Sequence, residues 1–135
     1  MNYVQIAEEV ATKAHEGQFR KGGEIPYITH PRRVAERVKG DLEAEAVAWL
    51  HDVLEDTDLT DQDLLDKGIP KNVVEAVEVL TKSKEIPYNK YLENVRNNEL
   101  ARKVKIQDML DNLSDKPSKK QIIKYSKGFL VLLRD

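Results

Sequence analysis

The residues best suited to chemistry stand together in "WLHDVLEDT", residues 49 to 57, where His51, Asp52, Glu55 and Asp56 are set among Trp49, Leu50, Val53 and Leu54. On a continuous helix over residues 42 to 56, His51 and Glu55 share one face, and Asp52 and Asp56 form a second pair beside them. Like charges at about 5 Å and an effective dielectric near 20 repel by about 3 kcal/mol per pair, a large fraction of a small domain's stability. A cation or bound protons must offset that repulsion. Adjacent imidazole and carboxylate donors suit a divalent metal such as Mn, Fe or Zn, and such an ion acidifies water into a nucleophile near neutral pH. A simple His-Asp hydrogen bond accounts for an isolated pair, but poorly for "HDxxED" with apolar flanks on both sides.

Two donors do not complete a site. His30 stands in "YITHP", ahead of a proline that can open a helix, whereas His15 closes the first helical stretch and reads as a packing or capping residue. Asp108 in "VKIQDMLDNL" falls among apolar neighbours, four residues ahead of Asn112, and its own pattern suits a ligand and a helix-surface carboxylate equally. His30, His51, Asp52 and Asp108 form the expected metal set. The electrophile is suggested by "RKGG": Arg20 and Lys21 can pair with phosphate oxygens, and Gly22 and Gly23 let backbone amides approach closely. An exposed basic turn is the plainer use of the same residues. Tyr27 either stacks on a base or sugar or packs internally. Hydrolysis of a phosphate ester or pyrophosphate is the reaction this assembly fits.

The elements that must position these groups are helices. Apolar residues recur at helical spacing through Val4, Ile6, Ala7, Val10, Ala11 and Ala14, and again through Leu42, Ala46, Trp49, Leu50, Val53 and Leu54. Asp41 caps a helix from Leu42, Thr60 caps one from Asp61, Gly68 ends it, and Pro70 opens the next. Further helices are expected over 88–97, 99–112 and 118–133, the last with Ile122, Tyr125, Phe129 and Leu132 on one stripe and an apolar "FLVLL" that packs inward. The expected fold is all-α, a compact single domain over residues 1–135 with roughly seven or eight helices and no sheet. "EGQFRKGGEIPYITHP", residues 16 to 31, is the main irregular piece, and its mixture of glycine, proline and basic residues suits a functional loop.

Composition narrows the partners. With 135 residues, 40% of them apolar and 34% charged, the chain has the makings of one globular core. It contains no cysteine, which excludes disulfides, zinc thiolates and a thiol nucleophile. The net charge of −2 supplies no overall basic field for a nucleic-acid polymer, and the five lysines from Lys116 to Lys127 read as a solvated helix face. The amphipathic start "MNYVQIAEEVATKAH" is neither a signal peptide nor a membrane span, so a cytoplasmic location is expected. No P-loop, dinucleotide or nucleophile-elbow motif occurs. The expected partner is a small phosphorylated nucleotide, not a nucleic-acid polymer or a membrane, and no feature specifies an oligomer.

"AHEGQFRKGGEIPYITHPRRVA", "WLHDVLEDTD" and "VKIQDMLDNL" resemble, in order and over roughly residues 5 to 115, the three signature regions of HD-domain phosphohydrolases. Within that family the likeness is to the hydrolase domain of RelA/SpoT-type enzymes and to the small alarmone hydrolases. The resemblance implies an all-helical fold and manganese-dependent removal of the 3′-pyrophosphate from guanosine tetra- or pentaphosphate, with one metal ion. It assigns His30, His51, Asp52 and Asp108 as ligands, Glu55 and Asp56 to the attacking water and its proton, Arg20 and Lys21 to phosphate, and Asn112 to the nucleotide. The chain has Gln107 where relatives often carry alanine, and Ser114 where they commonly carry arginine. Two other readings stand beside this one: an HD phosphohydrolase of another nucleotide or phosphorylated metabolite, and a non-catalytic nucleotide sensor. Keeping both Glu55 and Asp56 argues against the sensor, because a pure binder gains nothing from extra carboxylates beside phosphate oxygens.

Overall fold

A computed structural model describes residues 2–135. Among these residues the chain forms nine helical segments: α1 Tyr3–Ala14, α2 Thr29–Arg37, α3 Leu42–Leu50, α4 Val53–Asp56, α5 Asp61–Asp66, α6 Lys71–Leu80, α7 Tyr88–Arg96, α8 Glu99–Leu113 and α9 Lys119–Leu132. Counted as one broken helix, α3 and α4 bring the number to eight, within the seven or eight expected. The extended structure is a single bridge between Phe19 and Pro26 at the base of the 18–27 loop.

Helix α3 forms the centre because almost all of it can be buried. Ala44, Ala46, Val47, Ala48, Trp49 and Leu50 are inside, and a helix apolar on every side belongs in a core. Its alanines let neighbours come close, and α1, α2, α6 and α8 all pack against it. Leu42, at its first turn, is 54% exposed and lies off this surface. Local signals set the ends as expected. Asp41 accepts from the Ala44 amide at 3.1 Å, and Thr60 and Asp63 form a reciprocal capping box at α5. Gly68, at φ 97°, supplies the left-handed residue that ends α5.

The expected continuous helix over 42 to 56 is interrupted. His51 Nδ1 donates to Ala48 O at 2.6 Å, the acceptor that an unbroken helix would offer to the Asp52 amide. A side chain inserted into the ladder interrupts it: α3 ends at Leu50 and α4 resumes at Val53. The 16–31 segment forms a tight loop. Arg20 N–H donates to Ile25 O and Tyr27 N–H to Gln18 O, each at 2.8 Å, with Gly22 and Gly23 at φ 94° and 76° turning the tip.

Helix α9 lies on α7 and α8. The helices come close at Gly128, where a Cβ would stand 2.9 Å from Met109 Cε, the mobile end of that side chain. Leu132 is buried and Tyr125 and Phe129 half-buried, whereas Ile122, expected on the same stripe, is 44% exposed. Only part of "FLVLL" packs inward, since Leu130 is 76% exposed. The contrast is measurable by urea unfolding: Leu50→Ala, at a fully buried position, is expected to cost about 2–5 kcal/mol, and Leu130→Ala less than about 0.5 kcal/mol.

Candidate functional site

Three elements deliver the central groups. Helix α2 begins just before His30, the α3–α4 break carries His51 and Asp52, and α8 presents Lys105, Asp108, Asp111 and Asn112 at spacings of three and four on one face. His30 and His51 are 2% and 4% exposed and Asp108 is 5% exposed. Their donor atoms converge. His30 Nε2 lies 2.7 Å from Asp108 Oδ1 and 3.9 Å from Asp52 Oδ2. His51 Nε2 lies 3.1 Å from Asp52 Oδ2, 3.3 Å from Asp108 Oδ1 and 3.3 Å from His30 Nε2.

Both imidazoles are oriented from behind. His30 Nδ1 meets Asp111 Oδ2 at 2.7 Å and His51 Nδ1 donates to Ala48 O. The Nδ1 positions are thus committed to acceptors, and the two Nε2 atoms face the carboxylates. This is the outer-shell pattern of metal-ligating histidines. At metal–ligand bonds of about 2.0–2.2 Å, neighbouring donors stand about 3–3.5 Å apart, close to the spacings here. The residues fit a divalent ion: His30, His51 and Asp52 could hold one, with ligand atoms within 4.8 Å of one another.

The electrostatics express the same crowding. Burial works against charge on His51, but the carboxylates of Asp52 and Asp108 outweigh it and hold the imidazole pKa well above 6.5. Burial likewise pushes the Asp52 carboxyl up, and the His51 charge and hydrogen bond reverse this to about 2. Asp108 is held well below its usual range, against burial, by Lys105 and His51. Lys105 Nζ donates to Asp108 Oδ2 at 3.0 Å, occupying the oxygen that does not face the histidines. Burial and the Asp52 charge raise the Tyr27 phenol, which stays protonated and donates to Asp52 Oδ2 at 2.5 Å.

Several expected substrate groups are engaged in building the site. Arg20 is buried, with Nη1 on Asp111 and Nε on Asp115, each at 3.0 Å, and Nη2 on Asn112 Oδ1 at 3.3 Å. Its guanidinium, expected on phosphate, is spent on carboxylates and fixes the partner of His30. Asn112 Nδ2 donates to Asp108 Oδ1 at 3.3 Å and Tyr125 Oη at 3.2 Å, so its amide braces a site residue. The Tyr27 ring packs between His15 and His30, at 4.9 and 5.8 Å, as the packing alternative foresaw. The Gly23 amide closes its own turn onto Arg20 O. Lys21 is exposed at the loop tip, with Nζ 3.5 Å from Lys116 O.

Glu55 and Asp56 diverge. Glu55 borders a cleft of about 460 Å³ with His51, Asp52 and Asp108, which Lys82, Lys84, Lys105, Lys124, Tyr88 and Tyr91 also line. Asp56 lies where the charges of Asp52, His15 and Glu55 reach it, and burial followed by Asp52 raises its pKa. A larger groove, about 760 Å³ along the outer face of α1, meets none of these groups. Sequence reading missed Asp111, Lys105 and the cleft lysines. The available signal for the first two was their spacing of three on either side of Asp108.

Two outcomes test the cluster. Because the His51 pKa is raised on folding, its stabilising contribution is complete below about pH 6.5 and lost as pH rises through the folded value. Chelated protein is expected to melt at progressively lower temperature above pH 6.5, while the gain on adding Mn2+ grows over the same range as binding displaces protons. Thermal scans with and without chelator check both. Asp111→Asn can donate to His30 Nδ1 and so favour the wrong tautomer; its affinity for Mn2+, measured by titration calorimetry, is expected to fall about 10- to 100-fold.

Residues 7–116 match the family described as HD domain. Guanosine-3′,5′-bis(diphosphate) 3′-pyrophosphohydrolase from Vibrio cholerae is 39% identical over 114 residues, covering 79% of this chain and 16% of that protein. Bifunctional (p)ppGpp synthase/hydrolase SpoT from Escherichia coli K12 is 50% identical over 76 residues, covering 54% of this chain and 10% of its own length. The chain therefore spans about a sixth or less of these two relatives. A solved structure of a metazoan SpoT ortholog, described as hydrolysing ppGpp, superposes with a TM-score of 0.78 at 26% identity, covering 98% of this chain and 84% of that one. The matched span contains His30, the His51–Asp52 pair and Asp108, and this chain belongs to the HD-domain family.

Proposed function

We propose that this chain is a divalent-metal-dependent pyrophosphohydrolase of the cytoplasm that removes the 3′-pyrophosphate from guanosine tetra- or pentaphosphate. One observation carries the reading: two oriented imidazoles and two carboxylates converge beside a lysine-lined cleft that His51, Asp52 and Asp108 border, in a chain whose relatives are described by that activity. His30, His51, Asp52 and Asp108 would hold one ion, with Mn2+ the preferred metal. When bound, such an ion supplies positive charge that acidifies water and offsets phosphate charge.

The chain's own residues supply the rest. Hydrolysis forms a phosphorus–oxygen bond to water and breaks the bond to the ribose 3′ oxygen. One proton leaves the water and one returns to the leaving oxygen. Glu55, at the cleft wall, takes the first as general base. Asp56, whose carboxyl is held above its usual range by burial and the Asp52 charge, shares the proton traffic from the Tyr27 side. Lys84, Lys105 and Lys124 line the space where phosphate oxygens would lie, whereas Lys21, at the tip of the 18–27 loop beside Lys116 O, does not line that cleft. Arg20, Tyr27 and Asn112 act from behind, holding Asp111, Asp52 and Asp108.

The test is release of pyrophosphate by purified protein with Mn2+, run across guanosine tetraphosphate, ordinary nucleotides and sugar phosphates with a chelator control. Pyrophosphate from guanosine tetraphosphate alone is expected; release only from another compound would overturn the substrate and keep the reaction. In the same assay Asp52→Ala is expected to lose both Mn2+ binding and turnover. Glu55→Gln is expected to keep Mn2+ binding and lose at least about 100-fold in kcat.

A further inference from the structure

The loop from Thr81 to Ile86, between α6 and α7, forms one wall of the cleft, and its Lys82 is used at both ends. The Lys82 backbone N–H donates to Glu55 Oε1 at 2.9 Å. Its ammonium turns back into the loop and donates to Ser83 O at 2.8 Å and Ile86 O at 2.6 Å. Those carbonyls lie at opposite ends of the turn, so the side chain fastens the loop that carries the amide.

Glu55 needs such a partner. It sits exposed on the single turn of α4, which has no side-chain cap, and a free glutamate side chain spreads over many rotamers. A general base that must meet one water at one place loses rate when it wanders. Among the described residues the Lys82 amide is the hydrogen-bond partner of its carboxylate. A direct role for Lys82 on substrate fits less well, because its ammonium already spends donors on two carbonyls.

We propose that Lys82 is a positioning residue for the reaction: by clamping its own loop through Ser83 and Ile86, it aims a backbone amide that holds the Glu55 carboxylate at the cleft. This rests on the reading of Glu55 as general base.

The experiment combines kinetics with amide exchange. Lys82→Met keeps the stem and removes the ammonium. With guanosine tetraphosphate and Mn2+, its kcat is expected to fall about tenfold with KM changed less than about twofold. By NMR, the amide at position 82 is expected to exchange faster with solvent, as it also should in Glu55→Ala. Introduced into Glu55→Gln and assayed at enzyme excess, Lys82→Met should cause no further loss, because both changes act through one group. Lys82→Arg, able to donate to the same carbonyls, should recover both readouts. A further loss on top of Glu55→Gln, or a raised KM, would mean that Lys82 meets the substrate itself and would overturn the proposal. Unchanged amide exchange in Lys82→Met overturns it whatever the activity. A fully active Glu55→Gln is a separate result, removing the base while the exchange data still report whether the ammonium holds the loop. Should Lys82→Met fail to fold, Lys82→Gln, whose shorter amide reaches one carbonyl at most, takes its place with the same expectations.

Discussion

A buried charge left unmatched costs more than a small domain can bear, and this fold places several at its centre. His30, His51 and Asp108 are each at most 5% exposed, in the same interior that α3 fills with alanine, valine and leucine. Most polar atoms there have a partner, and Asp111 Oδ1 is an exception without a hydrogen bond among the described residues. The surrounding sequence can be understood as the supply of those partners: Asp111 and Ala48 O behind the imidazoles, Lys105 and Asn112 on Asp108, Tyr27 on Asp52. Arg20 reaches across from the 16–31 loop to close the outer ring on Asp111, Asn112 and Asp115. What remains facing inward is a set of Nε2 and carboxylate atoms whose mutual crowding a divalent ion relieves.

The same constraint explains the break in the central helix. To keep Nε2 pointed at Asp52 and Asp108, His51 must place its Nδ1 proton somewhere, and the nearest acceptor is the carbonyl one turn back. Taking it removes a rung, so that α3 stops at Leu50 and α4 begins anew at Val53. Glu55 and Asp56, which a continuous helix would have aligned with His51 and Asp52, separate instead: Glu55 to the cleft wall and the Lys82 amide, Asp56 toward Tyr27 and His15. One imidazole hydrogen bond thus assigns different surroundings to two neighbouring carboxylates.

Much of this was legible from residue types and spacing. The caps at Asp41 and Thr60, the stop at Gly68 and the all-helical class follow from local rules that act within a turn or two. The apolar flanks of His51 and Asp52 announced a buried polar pair. The outer ring was hidden because its contacts span 81 residues between His30 and Asp111 and 91 between Arg20 and Asp111. An arginine beside two glycines looks like a phosphate clamp until the fold places three oxygen partners around it. Ile122 misled for a related reason: the face of α9 that is covered is set by its packing on α7 and α8, which periodicity alone does not specify.

The two imidazoles, though paired at the front, are not equivalent behind. His51 is backed by a neutral peptide carbonyl, His30 by the carboxylate of Asp111, itself kept below its ordinary range by the His30 hydrogen bond and by Arg20, against burial. A charged acceptor makes a ring more basic and a stronger donor to a metal than a peptide carbonyl does. Arg20 moderates that effect by sharing Asp111 Oδ2 with His30, drawing negative charge away from the imidazole. A change at Arg20 would therefore reach the site's centre through Asp111 and His30 without touching substrate. Under the proposed function, the conspicuous basic residue of the loop would thus influence phosphate chemistry by tuning a metal ligand.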